Sequence, residues 1–228
     1  MAAITRPSPT VLAAVGGGGL TDPLQVLPGA APLNGPGGKP QLLYVGADYC
    51  PFCAAERWSL IAALSRFGEW SGLHLMTSSS TDVYPDTSTF TFAGSSFTSS
   101  QLSFAAVETE TRDRQPLQAL TPAQQQVFST YDAPPYTSTR GGIPFLDFGG
   151  RYVSISSGFT PEVLTGMSWQ QVADTVGSSS APQARAILGN ANWITAGLCR
   201  MTGDQPGSVC STETIHALEL RLPAAAGR

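Results

Sequence analysis

The stretch GADYCPFCAAERW, Gly46 to Trp58, sets two cysteines, Cys50 and Cys53, on either side of Pro51 and Phe52. Before it comes Gln41-Leu42-Leu43-Tyr44-Val45, a short and mostly apolar run between Pro40 and Gly46, which is the pattern of a buried strand. After it the spacing turns helical. Glu56, Ser59, Ala63 and Arg66 recur as a narrow polar stripe, while Trp58, Leu60, Ile61, Leu64 and Phe67 fill the other positions. The predicted helix is therefore buried over most of its circumference, and it stops at Gly68. Pro51 falls in the first turn, where a missing N–H does no harm.

A cysteine pair at a helix start suits thiol–disulfide exchange, which needs one accessible, stabilised thiolate and a second thiol close enough to resolve the mixed disulfide. The unpaired N–H groups and the dipole of the helix N-terminus favour an anion. A thiol of ordinary pKa ~8.5 is lowered to ~3.5–7.5 in such places. Cys50, just outside the helix, is the expected nucleophile, and Cys53, inside the first turn and facing the core, the expected resolving thiol. A permanent local disulfide is the competing reading, but so small a ring gains little from loop closure. Asp48 and Glu56 are candidates for tuning the thiols: Asp48 would raise the Cys50 pKa if it pointed there, while Glu56 on the polar stripe is expected to face away. Tyr49, Pro51 and Phe52 are candidate substrate contacts, and Trp58 is expected in the core.

Further along, Leu73 to Ser78 reads as a second strand. Ile143 to Phe148 and Tyr152 to Ile155 flank Gly149-Gly150 as a hairpin. Pro161 to Val176 reads as a helix capped by Thr160. Between the second strand and the hairpin lies a long insertion, about 79–140. In it Thr89 to Phe92 is expected to pair with Leu102 to Val107, Pro122 to Thr130 to form a helix capped by Thr121, and Ala133-Pro134-Pro135-Tyr136 to run extended. Cover for the sheet is the favoured role of this insertion. A rim over the cysteines, with Pro134, Pro135 and Tyr136 on it, is the sharper alternative. Cys199 and Cys210 flank turn-forming residues, Met201 to Gly207, and are expected to form a structural disulfide stapling a helical segment, Gln183 to Leu198, within an extension of about 178–222.

The chain has 228 residues, a net charge of -4 and a single lysine, Lys39, which excludes a nucleic-acid-binding surface built on concentrated basic residues. No apolar run reaches the roughly 20 residues that span a bilayer. Residues 1–40, rich in Pro, Gly and Ala, read as an arm or linker with one short helix near Thr21 to Val26, ahead of a domain spanning 41–228. Zinc is disfavoured, since His74 and His216 form no ligand pattern with the cysteines. Gly16 to Gly19 lacks the Lys-Ser/Thr of a phosphate loop, and no G-x-S-x-G elbow is present. No cofactor is expected.

A strand leading into C-x-x-C at a helix start, followed much later by Gly142-Ile143-Pro144 opening a hairpin, resembles the thioredoxin-like superfamily. The resemblance implies an α/β fold with a mixed central sheet flanked by helices. It also implies that Pro144 is cis and faces the cysteine pair, exposing the Ile143 backbone to a substrate strand. Cys50-Pro51-Phe52-Cys53 resembles the Cys-Pro-aromatic-Cys of glutaredoxins, although the surrounding sequence does not. The segments GADYCPFCAAERWSLIAALSRFG, TYDAPPY, GGIPFLDFGGRY and ITAGLC…TGDQPGSVC are similar to a family of thioredoxin-like proteins known only as domain-of-unknown-function family 929. That likeness implies an extracytoplasmic thiol–disulfide oxidoreductase attached to a membrane through a segment outside this chain. Its partners would be protein thiols and disulfides or a membrane redox partner. A non-catalytic binding module and a redox sensor are the rival readings.

Overall fold

The computed structural model describes residues 2–20 and 23–224. The chain runs α1 (Ala2–Thr5), α2 (Pro9–Val15), β1 (Gln25–Val26), β2 (Gln41–Gly46), α3 (Pro51–Leu64), β3 (Gly68–Ser71), β4 (His74–Thr77) and β5 (Ser88–Thr91). It continues through β6 (Ser96–Ser99), β7 (Ser103–Glu108), α4 (Pro122–Tyr131), β8 (Phe145–Phe148), β9 (Tyr152–Ile155), α5 (Trp169–Thr175), α6 (Pro182–Thr202), α7 (Gly207–Cys210) and α8 (Glu213–Glu219). A five-stranded mixed sheet, ordered β1-β9-β8-β2-β7, forms the centre. β2 pairs parallel with β7 and antiparallel with β8.

Alternation along β2 sorts the two faces. Leu42 and Tyr44 join the larger core with Trp58, Ile61 and Leu64 of α3 and Leu188, Ala191 and Trp193 of α6. Leu43 and Val45 point the other way, against Phe145, Val153 and the half-buried Val127 and Phe128 of α4. The fold is thus a mixed sheet with helices on both faces.

Helix α3 is buried nearly all round, as expected, but its polar stripe does not face water. It faces α6. Ser59 donates to the Ile187 carbonyl at 2.9 Å, Asn190 of α6 donates to Glu56 at 2.8 Å, and Arg66 reaches Asn192 and Thr195 at 3.1 Å each. Polar groups buried between two helices are tolerated because each finds a partner there. Trp58 is fully buried and its indole N–H donates to the Ser88 carbonyl at 2.9 Å.

Several expectations are corrected. Residues 1–40 are no linker: Ile4, Leu12 and Leu24 enter the main core, and Asn192 donates to the Leu12 and Gly16 carbonyls at the end of α2. Their apolar residues are too widely separated to show a period, and α6 supplies the surface that buries them. The helix expected near Thr21 to Val26 begins outside the described residues, and Gln25–Val26 is strand, paired with β9. The insertion is more than cover, because its β7 is a strand of the central sheet paired with β2, while β5 pairs with β4 in a separate ribbon. The strand read at Leu73 to Ser78 is β4, outside the central sheet. The helix read over Pro161 to Val176 divides into a 3-10 turn, Pro161–Leu164, and α5, separated at Gly166, whose φ of 72° no continuing helix adopts. Ala133 to Tyr136 closes as a turn, with the Tyr136 N–H donating to the Ala133 carbonyl at 2.9 Å. The α4 helix capped by Thr121 and the 143–155 hairpin around Gly149-Gly150 stand as expected.

The Cys199–Cys210 disulfide is present, its Cα atoms 5.6 Å apart, joining the end of α6 to α7. No helix among the described residues is long and apolar enough to cross a membrane.

Candidate functional site

Strand β2 ends at Gly46, and the chain turns through Ala47-Asp48-Tyr49 to Cys50, the N-cap of α3. Cys50 takes the role usually filled by Ser or Asp: its sulfur accepts from the Cys53 backbone N–H at 3.2 Å, satisfying one of the orphan donors of the first turn. Cys50 and Cys53 are free thiols. Cys50 is 5% exposed and Cys53 not at all, so only the first can meet a partner.

The two thiols are pushed in opposite directions. The hydrogen bond from the Cys53 side chain lowers the Cys50 pKa, against burial, and the Cys53 N–H and the Arg57 guanidinium help. Burial drives Cys53 well above the ordinary thiol value, and Cys50 beside it adds to the rise. One nucleophilic and one reserved thiol is the division of labour that exchange requires.

Pairing of β2 with β8 puts Val45 opposite Phe145, which brings Pro144 to the end of β2 that leads to the cysteines. The Ile143–Pro144 peptide bond is cis. The Ile143 carbonyl lies 3.8 Å from the Cys50 sulfur, and the Ile143 side chain, half-buried, packs with Tyr49 and Phe52 around Ala47, Cys50 and Cys53. Pro51 is buried. Expected substrate contacts therefore gather about one sulfur, whereas Tyr136 packs with Val127, Phe128 and Tyr131 in the cluster under α4, which Ile143 joins from its other side.

Beneath the pair lies a charged network that residue patterns did not disclose. Arg57 is fully buried, and its Nε and Nη2 donate to the two carboxylate oxygens of Glu108 at 2.9 and 2.7 Å. Nη2 also donates to the Ala47 carbonyl at 2.7 Å, in the turn that carries the cysteines. Glu108 reaches this place because β7 lies parallel to β2 with Glu108 opposite Gly46. Tyr44 donates to the same carboxylate at 3.5 Å. Burial opposes the Arg57 charge, but Glu108 outweighs it and holds the guanidinium protonated. Burial likewise raises Glu108, against the pull of Arg57.

Asp48 turns to this network: its carboxylate is 3.6 Å from Arg57, so a cation answers its charge. Glu56 contradicts the expectation that it faces away. It is 1% exposed, and its Oε2 accepts from Gly158 N–H at 3.0 Å and from Asn190 at 2.8 Å, with burial raising its pKa to about 7. Gly158 must lack a side chain here, since a Cβ would lie 2.0 Å from the Asn190 oxygen. Only the position of Arg57 and Glu108 hinted at their role: a lone arginine within an apolar helix and a carboxylate ending an apolar run, each of which reads equally well as surface. Among the described residues no cluster of His, Cys, Asp and Glu is arranged to hold a metal.

Fold and site together define a mixed α/β protein that carries a vicinal dithiol at a helix N-terminus over a buried ion pair. The chain belongs to the family described as Domain of unknown function (DUF929), whose profile matches residues 33–200. That span takes in Cys50, Cys53, Arg57, Glu108 and Pro144, and ends just past Cys199. Comparison with curated proteins and with solved structures returns no match.

Proposed function

We propose that this protein is a thiol–disulfide oxidoreductase of thioredoxin-like fold, working outside the cytoplasm through Cys50 and Cys53. The observation that carries the reading is the placement of the two free thiols. The Cys50 sulfur caps α3 by accepting the Cys53 N–H at 3.2 Å and lies 3.8 Å from the Ile143 carbonyl, with Cys53 fully buried behind it. This arrangement lowers the Cys50 pKa and raises that of Cys53. In the reducing direction the Cys50 thiolate attacks one sulfur of a partner disulfide and expels the other as a thiolate. The Cys53 thiol then loses its proton and attacks the Cys50 sulfur, which closes the Cys50–Cys53 disulfide and releases the second partner thiolate. The protein loses two electrons and the partner gains them; the reverse sequence oxidises a dithiol. Arg57 supports the reading as a positioning residue, since it bonds the Ala47 carbonyl and lowers both thiols. The Cys199–Cys210 disulfide supports an oxidising compartment, because structural disulfides are rare in the cytosol. Attachment to a membrane, by a segment outside this chain, belongs to the same reading.

The test is equilibration in graded glutathione buffers, alkylation, and mass spectrometry that reports each pair separately. Cys50–Cys53 should titrate at roughly -120 to -270 mV, the range of exchange enzymes, while Cys199–Cys210 stays closed. A Cys50–Cys53 pair that stays oxidised below about -300 mV would sink the proposal.

A further inference from the structure

Cys50 is recessed, and the way to it is bounded by the half-buried Tyr49, Phe52 and Ile143. Two loops of the long middle segment, 79–86 and 111–115, close on these residues. The Ser79 N–H donates to the Tyr49 carbonyl at 2.9 Å, the Tyr84 ring meets the Phe52 ring edge-on at 5.9 Å, and the Arg114 guanidinium sits 3.8 Å over the Tyr49 ring. The loops are also clasped to each other. Arg114 bonds Asp82 at 2.8 Å, and Arg112 bonds Asp86 and, at 2.9 Å, the Ser78 carbonyl. Asp86 and Arg114 hold φ of 54° and 58°, a left-handed conformation that residues with side chains keep only where their surroundings impose it.

The clasp decides which chemistry the lip presents. Both arginines already engage carboxylates, and the neighbouring Glu110 and Asp113 add negative charge without a further cation in these two loops. Glutathione carries two carboxylates and would find neither one answered. What the lip offers instead is largely apolar: the half-buried Tyr84, Phe52, Tyr49 and Ile143, with Val83, 70% exposed, next to Tyr84 in the chain.

We propose that the clasped loops are the partner-selecting rim of the site, and that the partner they fit is an extended polypeptide with an apolar side chain beside its cysteine rather than glutathione. This inference rests on the exchange reading above. In the mixed disulfide the partner's cysteine bonds Cys50 and its apolar neighbour lies against Tyr84 and Val83.

The reduced full chain tests it against three oxidised probes: glutathione disulfide, and two disulfide-bridged peptides of equal length that differ only in Leu or Ser beside the cysteine. Formation of the Cys50–Cys53 disulfide is followed by mass spectrometry. The Leu peptide should react about tenfold faster than the other two, the order of discrimination one apolar contact gives. Tyr84→Ser and, at an exposed position where folding is not at stake, Val83→Ser should bring the Leu peptide down to the rate of the Ser peptide. Asp82→Asn, which releases Arg114, should speed glutathione disulfide. Equal rates for the two peptides, or a preference that survives Val83→Ser, would overturn the rim. If no probe closes Cys50–Cys53, the exchange reading fails and the rim falls with it, an outcome distinct from exchange without preference.

Discussion

Cys50 and Cys53 share a single helical turn, whereas Cys199 and Cys210 stand 11 residues apart and are joined. Both pairs are buried, so burial is not what separates them. The first pair sits where the Cys53 thiol, the Cys53 backbone N–H and a helix N-terminus meet the Cys50 sulfur, with the Arg57 charge acting from a distance, all of which stabilise a thiolate. The second closes the loop between two helix ends, and that loop leaves and re-enters the core through apolar contacts of Leu198, Met201 and Ile215. Cross-linking there restricts the unfolded chain, a gain that grows with the span enclosed; cross-linking across one turn restricts almost nothing. On the proposed reading the first pair serves exchange, and the second serves stability.

The comparison breaks most visibly if Cys50 is replaced. Cys50→Ser should abolish closure of the first pair and all turnover, while Cys53→Ser should trap partners as mixed disulfides on Cys50. Alkylation of the reduced protein against pH should show Cys50 reacting with a pKa below the ordinary thiol value and Cys53 silent. A Cys50 profile at or above that value would place both pairs in the structural class.

Arg57 should matter next, because it serves both stability and the first pair. Arg57→Ala leaves Glu108 buried without its cation, at a cost of about 3–5 kcal/mol, and should raise the Cys50 pKa. Arg57→Lys keeps the charge but not the two-pronged bond, so it should recover more of the thiol pKa than of the melting temperature. An unchanged alkylation profile in both variants would confine Arg57 to structure.

Removing the second pair gives a smaller effect of the opposite kind. Cys199→Ser with Cys210→Ser should cost about 2–4 kcal/mol in denaturant unfolding and leave the exchange rate of the first pair unchanged. A fall in exchange rate would show the two pairs to be coupled through α6, which touches α3 and carries Cys199.

What the sequence discloses differs between these regions for a physical reason. The first pair is legible because its determinants are local: the strand, the two cysteines, Pro51 and the helix lie within one short stretch, and local spacing is what residue patterns record. The 143–155 hairpin is legible for the same reason. Glu108 is not, because it reaches the site through a parallel pairing of β7 with β2 across a long stretch of chain, and parallel pairing leaves no turn signal. Periodicity alone misplaces Glu56. A polar stripe on a helix marks water or a polar partner equally well, and only α6, far along the chain, decides which. The N-terminal segment is illegible likewise, since Ile4, Leu12 and Leu24 are buried by tertiary contact rather than by any period of their own.

Glu56 gives the smallest expected effect and the sharpest contrast with the charges around it. Arg57, next in sequence, has its charge answered by Glu108, whereas Glu56 accepts only neutral donors, Gly158 N–H and Asn190. Its pKa rises from the ordinary 4.5 to about 7 in the folded chain because burial penalises the carboxylate. A group raised in this way binds its proton more tightly folded than unfolded, so its contribution is fully present at low pH and is lost as pH climbs from about 4.5 towards 7. Glu56→Gln removes the titration yet keeps an oxygen for the two donors. Relative to the variant, the wild type should therefore lose on the order of 2–3 kcal/mol of stability between pH 5 and pH 8. Asp147 and Glu219, raised to about 6 and about 7, impose the same sign of pH dependence on both proteins and cancel in the difference. Paired denaturant titrations at the two pH values measure it. A difference that stays flat with pH would mean that Glu56 keeps its charge in the core, and the helix seam would then hold a cation or water that answers it.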